Sequence, residues 1–250
     1  MPSLHETFDK YIGYCLVEVS FLVVAANVLM LFIILKNAGI RKSISPIVVS
    51  LAMADLLVGL FMGVSFALGG KVKILAFITS TSMLASMLHI VLIALDRDAS
   101  VFAPLWYKVH ITNKILYFGI GTAWLSALII FTAVELVVGS FLNEVAMKFY
   151  IFNFSFVGMS LTALHSYLGV VACMQWKKIQ SQIRPDLKVK IPPATKTLLA
   201  ILGVYVVRLG PYTAVVFAEV TGNYRLARSD LFEVSILLSV CNSGVNFFIY

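Results

Sequence analysis

The sequence predicts an all-α fold, a membrane-embedded bundle of seven transmembrane helices, and three observations carry that prediction. Of its 250 residues, 60% are hydrophobic and only 12% charged, with a mean hydropathy of +0.96. A soluble globular chain is about a quarter charged. Seven apolar runs follow one another, Tyr11–Leu35, Ser45–Leu68, Ile74–Leu95, Ile115–Phe141, Phe149–Trp176, Thr197–Val220 and Leu231–Tyr250, and about 20 apolar residues suffice to cross the hydrocarbon core. Almost every run also holds a misfit polar residue. Ionisable groups are costly in hydrocarbon, so those that persist usually face the bundle interior and have a task there.

Each run reads as a helix, because a backbone exposed to lipid must satisfy its own hydrogen bonds. Span one carries Asn27 and span two carries Asp55. Span three holds Ser86 and closes on Asp96-Arg97-Asp98. Span four has one tryptophan, Trp124, and span five has Tyr167. Span six contains Arg208 and Pro211, the sole proline deep inside a run. Span seven ends with Asn242, Ser243 and Asn246. The spacing i, i+4 puts Asn242 and Asn246 on one helix face. The seven spans use the whole of residues 1–250 as a single unit.

Charge sets the topology. The segments after spans one, three and five hold twelve basic residues: Lys36, Arg41, Lys42, Arg97, Lys108, Lys114, Lys177, Lys178, Arg184, Lys188, Lys190 and Lys196. The other side holds six, namely Lys10, Lys71, Lys73, Lys148, Arg225 and Arg228. The positive-inside rule places the twelve in the cytosol and the N-terminus outside. The net charge of +7 therefore reads as a topology signal rather than a nucleic-acid footprint. The polar, acidic start lacks the basic head and cleavage site of a signal peptide, so span one is expected to serve as an uncleaved anchor. Cys15, Cys173 and Cys241 all lie inside apolar runs and their number is odd, so no disulfide framework is expected and each reads as a small buried apolar group. Four scattered histidines show no metal-ligand spacing.

Taken in order, these residues resemble the signature of the rhodopsin-like (class A) G-protein-coupled receptors over essentially the full chain. Ala26-Asn27-Val28 resembles the span-one motif and Leu51-Ala52-Met53-Ala54-Asp55-Leu56 that of span two. Asp96-Arg97-Asp98 stands where the family has Asp-Arg-Tyr, with Pro104-Leu105 and Tyr107 following. Trp124, Tyr167 and Pro211 match the markers of spans four, five and six. Asn242-Ser243-Gly244-Val245-Asn246-Phe247-Phe248-Ile249-Tyr250 resembles the span-seven run. A very short second outer loop, no outer disulfide and Met159 in place of a proline are similar to the melanocortin, adenosine and cannabinoid receptors. Ser65, Val72 and Ala76 stand where melanocortin receptors carry an acidic site, so that ligand class is not carried over.

The resemblance implies a receptor in the plasma membrane that is not an enzyme. It binds an extracellular small molecule, lipid or peptide in the outer half of the bundle. It activates a heterotrimeric G protein by outward movement of span six. It assigns G-protein coupling to Asp96, Arg97, Asp98, Tyr167 and Tyr250, with Arg97 held at rest by Asp96. It lines the ligand pocket with Thr79, Met83, Ile151, Ser155, Tyr212, Val216, Ile236 and Val240. Thr79 replaces the aspartate of amine receptors and Val240 the lysine of retinal proteins, which argues against both ligands. Asp55, Ser86, Asn242, Ser243 and Asn246 form a midplane cluster that holds sodium in the family. Oxygen donors around one carboxylate suit a hard cation, and a plain hydrogen-bond network would satisfy the same groups. No other cofactor is implied.

The switch group is Asn27, Arg208, Leu209 and Pro211, and it departs from the family. Leu209 stands in place of the switch tryptophan and Phe247 in place of the span-seven proline. Arg208, turned inward, would neutralise Asp55, and turned otherwise would line the pocket floor. These departures keep a second reading open, a receptor-like or truncated protein with impaired or constitutive signalling. A membrane transporter is the third reading, weakened because paired repeats and matched helix breaks are missing from the sequence.

Overall fold

The structure is a computed structural model that describes residues 4–69 and 71–138, together with individual positions from Met159 to Lys177 and Leu237. Six helices lie in the first part: α1 (Leu4–Lys36), α2 (Ala38–Ser43), α3 (Pro46–Ala67), α4 (Lys73–Phe102), α5 (Pro104–His110) and α6 (Asn113–Val138). Four are long and apolar enough to cross a membrane, over Gly13–Lys36, Pro46–Ala67, Lys73–Arg97 and Asn113–Leu136. These are the first four predicted spans. Every described position from Met159 to Lys177 is helical, as is Leu237; the rest of the spans expected over 149–176 and 231–250 lies outside the described residues. The span at 197–220 lies outside the described residues.

Helix ends follow local chemistry. Ser45 caps α3, its hydroxyl accepting from the Ile47 N–H, and Pro46 occupies the first turn, where its missing N–H costs nothing. Gly69 follows α3 at φ +76°, the left-handed conformation glycine adopts without a Cβ penalty. Ala103 ends α4 and starts α5, with Pro104 next. Proline disfavours helical backbone in the residue before it, so the chain turns there. Helix α4 is longer than the expected Ile74–Leu95. Its 30 residues measure about 45 Å at 1.5 Å per residue, against a hydrocarbon core of about 30 Å, so its last turns project from the membrane.

Helix α3 packs against α1, α4 and α6, and α4 also packs against α6. Lipid tails are as apolar as leucine, so close packing rather than water exclusion must hold such helices together. The sequence supplies small residues at the contacts. Ala54 of α3, Ala85 of α4 and Ala127 of α6 are completely buried in one cluster with Leu84, Phe131 and Val134. On α3, Gly59 and Gly63 face Ser20 of α1. A Cβ on Gly59 would lie 3.0 Å from the Ser20 carbonyl oxygen, and one on Gly63 would lie 3.1 Å from the Ser20 Cβ. A second cluster joins Met30 and Ile34 of α1 to Ile47, Val48 and Leu51 of α3 and Met87, Ile90 and Ile93 of α4. A third, Leu16, Val23 and Met62, receives Leu237.

One expectation fails. Cys15 is exposed rather than buried. The packed face of α1 runs through Leu16, Ser20, Val23 and Asn27, and Cys15 lies about 100° away from Leu16 around the helix, on the outward side.

Candidate functional site

Helix α4 is the axis of the site. One stripe of it runs through Thr79, Met83, Ser86, Ile90 and Arg97, spacings of three, four and seven that recur on one helix face. The stripe carries a different chemistry at each depth.

At mid-depth, Asp55 is fully buried, and the Ser86 hydroxyl donates to its Oδ1 at 2.6 Å. Asn27 is equally buried, and its amide Nδ2 donates to the Val23 carbonyl at 2.9 Å. The expected clustering of Asp55 with Ser86 is thus present in the described half of the site. Asn242, Ser243 and Asn246 lie outside the described residues. A buried carboxylate with a hydroxyl beside it is an oxygen donor set, and it fits a hard cation such as sodium.

One turn towards the C-terminal end of α4 lies a link that the sequence reading did not find. His89 is fully buried. Its Nδ1 lies 2.6 Å from the Ala85 carbonyl oxygen and its Nε2 lies 2.8 Å from the Ser50 hydroxyl. The Trp124 indole N–H donates to the same hydroxyl at 3.0 Å. A carbonyl only accepts, so Nδ1 must carry the proton. The neutral ring then accepts at Nε2 from Ser50, whose oxygen accepts from Trp124. Every proton in the chain has one acceptor. The rings of His89 and Trp124 also meet edge to face, with centroids 5.8 Å apart. Three spans are therefore tied at one serine. The available signal was the rule that a buried polar group has partners, applied to a histidine three residues beyond Ser86 on the same face.

At the end of α4, Asp96 is shared. The Tyr107 hydroxyl of α5 donates to its Oδ1 at 2.7 Å, and Arg97 lies 3.7 Å from Oδ2. The Asp96 side chain is 4% exposed and that of Arg97 is 46% exposed. Tyr107 is pushed up to about 12 by partial burial first, then by its hydrogen bond to Asp96 and that carboxylate's charge, with Arg97 opposing. Beside this group, α5 presents Leu105, Trp106 and Val109 outward, and Trp106 stacks on His110 at 4.8 Å.

At the opposite end of the stripe, Thr79 is buried, and its hydroxyl has no partner among the described residues. Met83 packs beneath it beside the Met87 cluster. Tyr167 is helical and exposed. Asp98 lies in α4, with its side chain outside the described set. Ile151, Ser155, Arg208, Leu209, Pro211, Tyr212, Val216, Ile236, Val240 and Tyr250 lie outside the described residues.

The family described as 7 transmembrane receptor (rhodopsin family) matches residues 26–250. The chain belongs to that family. It is accordingly a multi-pass membrane protein of a receptor family whose members are not enzymes. It is also similar to octopamine receptor beta-3R of Drosophila melanogaster, with 32% identity over 136 residues. That match covers 50% of this chain and 11% of the relative, so the chain spans only a small part of that receptor's length.

Proposed function

We propose that this receptor binds a ligand in the outer half of its bundle and activates a heterotrimeric G protein from its cytosolic end, with the N-terminus outside the plasma membrane. The observation that carries this reading is the triad at the end of α4. Asp96 is almost enclosed, yet its partner Arg97 is half in solvent at 3.7 Å. An ion pair so placed contributes under about 1 kcal/mol, so a modest competing contact suffices to release it. The apolar row of Leu105, Trp106 and Val109 beside it supplies a surface for that contact, since exposed apolar side chains gathered at one place mark interaction sites. Outward movement of span six would open access to Arg97. The equilibrium between the two arrangements then shifts by the difference in what each binds.

The ligand end supports a neutral contact. Between Lys73 and Asp96, α4 carries no acidic residue. An amine at this helix therefore has no carboxylate to pair with, although the related fly protein is named an octopamine receptor. The Thr79 hydroxyl, buried where the pocket lining is expected and without a partner among the described residues, offers a hydrogen bond to a neutral small molecule, lipid or peptide group. Asp55 and Ser86 would hold a sodium ion together with Asn242, Ser243 and Asn246. When bound, the ion supplies a positive charge that offsets the buried carboxylate.

Nucleotide exchange on purified heterotrimeric G proteins, with the receptor in lipid vesicles, tests the reading. Exchange above the empty-vesicle rate is expected for the native chain, and Arg97→Ala should remove most of it. Exchange that is absent with every G-protein class, alongside solute flux into the same vesicles, would instead favour transport.

A further inference from the structure

Where α3, α4 and α6 diverge, they leave a groove on the outward surface of the bundle. Its volume is about 480 Å³, and its walls include Leu57, Phe77, Thr81, Gly121, Trp124 and Leu128. That size is within the range of small-molecule sites. Gly121 opens the groove, since a Cβ built there would meet nothing within 4 Å. The lining is largely hydrocarbon and holds two hydroxyl residues, Thr81 and Ser82, of which only Thr81 has a buried hydroxyl left without a partner among the described residues. Thr81 is 8% exposed.

A helical threonine in apolar surroundings ordinarily turns its hydroxyl back to a carbonyl of the preceding turn. Thr122 does so in this protein, donating to the Gly119 carbonyl at 2.7 Å. Thr81 does not. Threonine in a helix has two accessible χ1 wells, so rotation within the groove wall can present the hydroxyl to an occupant. Thr79 and Thr81 are two residues apart, about 200° around the helix. The groove is therefore a separate place from the central pocket.

We propose that this groove is a membrane-facing binding site for a lipid that carries one hydroxyl part-way down its hydrocarbon chain. Thr81 lies eight residues beyond Lys73, about 12 Å into the membrane at 1.5 Å per residue, in a hydrocarbon core about 30 Å thick. Water does not reach that depth, and an unsubstituted acyl chain leaves the hydroxyl unpaired. A headgroup hydroxyl stays at the interface and is too shallow. A mid-chain hydroxyl reaches the right level and pairs with Thr81, while Phe77, Trp124 and Leu128 cover the chain to either side.

The test uses the full chain in phosphatidylcholine nanodiscs with two photoreactive probes, ricinoleate and oleate, each carrying the same terminal diazirine. They differ by the mid-chain hydroxyl alone. Ricinoleate should label the peptides that carry Phe77 to Ser82 and Gly121 to Leu128 about fivefold more than oleate, the gain expected of one net hydrogen bond. Thr81→Val should bring the two probes level, and Thr81→Ser should keep the preference. Gly121→Leu should fill the groove and lower both. Equal labelling of the native chain, meaning bulk acyl chain only, would overturn the proposal. So would a preference that survives Thr81→Val, or labelling confined to other helices.

Discussion

The middle of the α4 polar stripe and its C-terminal end are built differently. The links at mid-depth are enclosed, short and fully paired in direction. Ser86 to Asp55 is 2.6 Å, and Ser50 joins His89 and Trp124 at 2.8 Å and 3.0 Å. The triad of Asp96, Arg97 and Tyr107 has one good hydrogen bond and one loose ion pair reaching solvent. In a low-dielectric interior, breaking a satisfied polar link strands the groups that remain. At a wet helix end, water takes up the freed partners at little cost. The centre thus holds three spans in fixed register, and under the proposed function the rim is where partners would exchange. Weak contacts at that end suit a site where a switching partner is proposed to arrive.

His89→Leu should break this contrast most severely. It removes the acceptor of Ser50 and the edge contact with Trp124, and a loss of about 2–4 kcal/mol is expected. The thermal midpoint of detergent-solubilised receptor should fall clearly, and an unchanged midpoint would show that the link bears no weight. Next comes Ser86→Ala, at about 1–3 kcal/mol, because Asp55 loses a buried donor. If sodium occupies this cluster, added sodium chloride should raise the midpoint of the native chain more than potassium chloride does, and Asp55→Asn should abolish the difference. A native chain indifferent to the choice of cation points to a plain hydrogen-bond network.

At the rim the order of effects reverses. Tyr107→Phe should cost under about 1 kcal/mol of stability, yet raise ligand-independent nucleotide exchange, since Asp96 loses its donor and Arg97 is freed more often. Exchange at the native rate would argue that Tyr107 merely decorates the helix end. The smallest effect is in pH. The Tyr107 phenol is raised to about 12 in the fold, against about 10 for a free tyrosine. The folded state therefore holds this proton more tightly. The stabilisation is complete below pH 10 and disappears as pH climbs through 12. Phenolate absorbance should include a component titrating near pH 12, and that component should vanish in Tyr107→Phe.

Much of this arrangement was legible in the residues. Spans one to four could be read because apolar runs of more than 20 residues have few other uses in a chain. The family resemblance placed Asp55 beside Ser86 and Asp96 beside Arg97, in keeping with a carboxylate's need for donors in hydrocarbon and with the adjacency of the second pair. The short helices α2 and α5 were missed, since six or seven residues are too few for a period to declare itself. His89 looked like one of four scattered histidines. Its meaning depends on Ser50 and Trp124, which are distant in sequence and meet only after three helices have packed. Cys15 was misplaced because an apolar run in lipid has hydrophobic residues all round, so hydropathy alone says nothing about which side faces in. The groove at Thr81 exists only as a gap between helices, and gaps leave no mark in a sequence.

The contact of Gly59 and Gly63 with Ser20 has a bearing on how the molecule is made. The two helices are neighbours in sequence, and at these positions their mutual fit involves no residue that follows them. The hairpin they form can therefore close while the spans after it are still being translated, giving each of those a finished wall to lean on. A pair of missing side chains thus lets two adjacent spans come together ahead of the helices that follow.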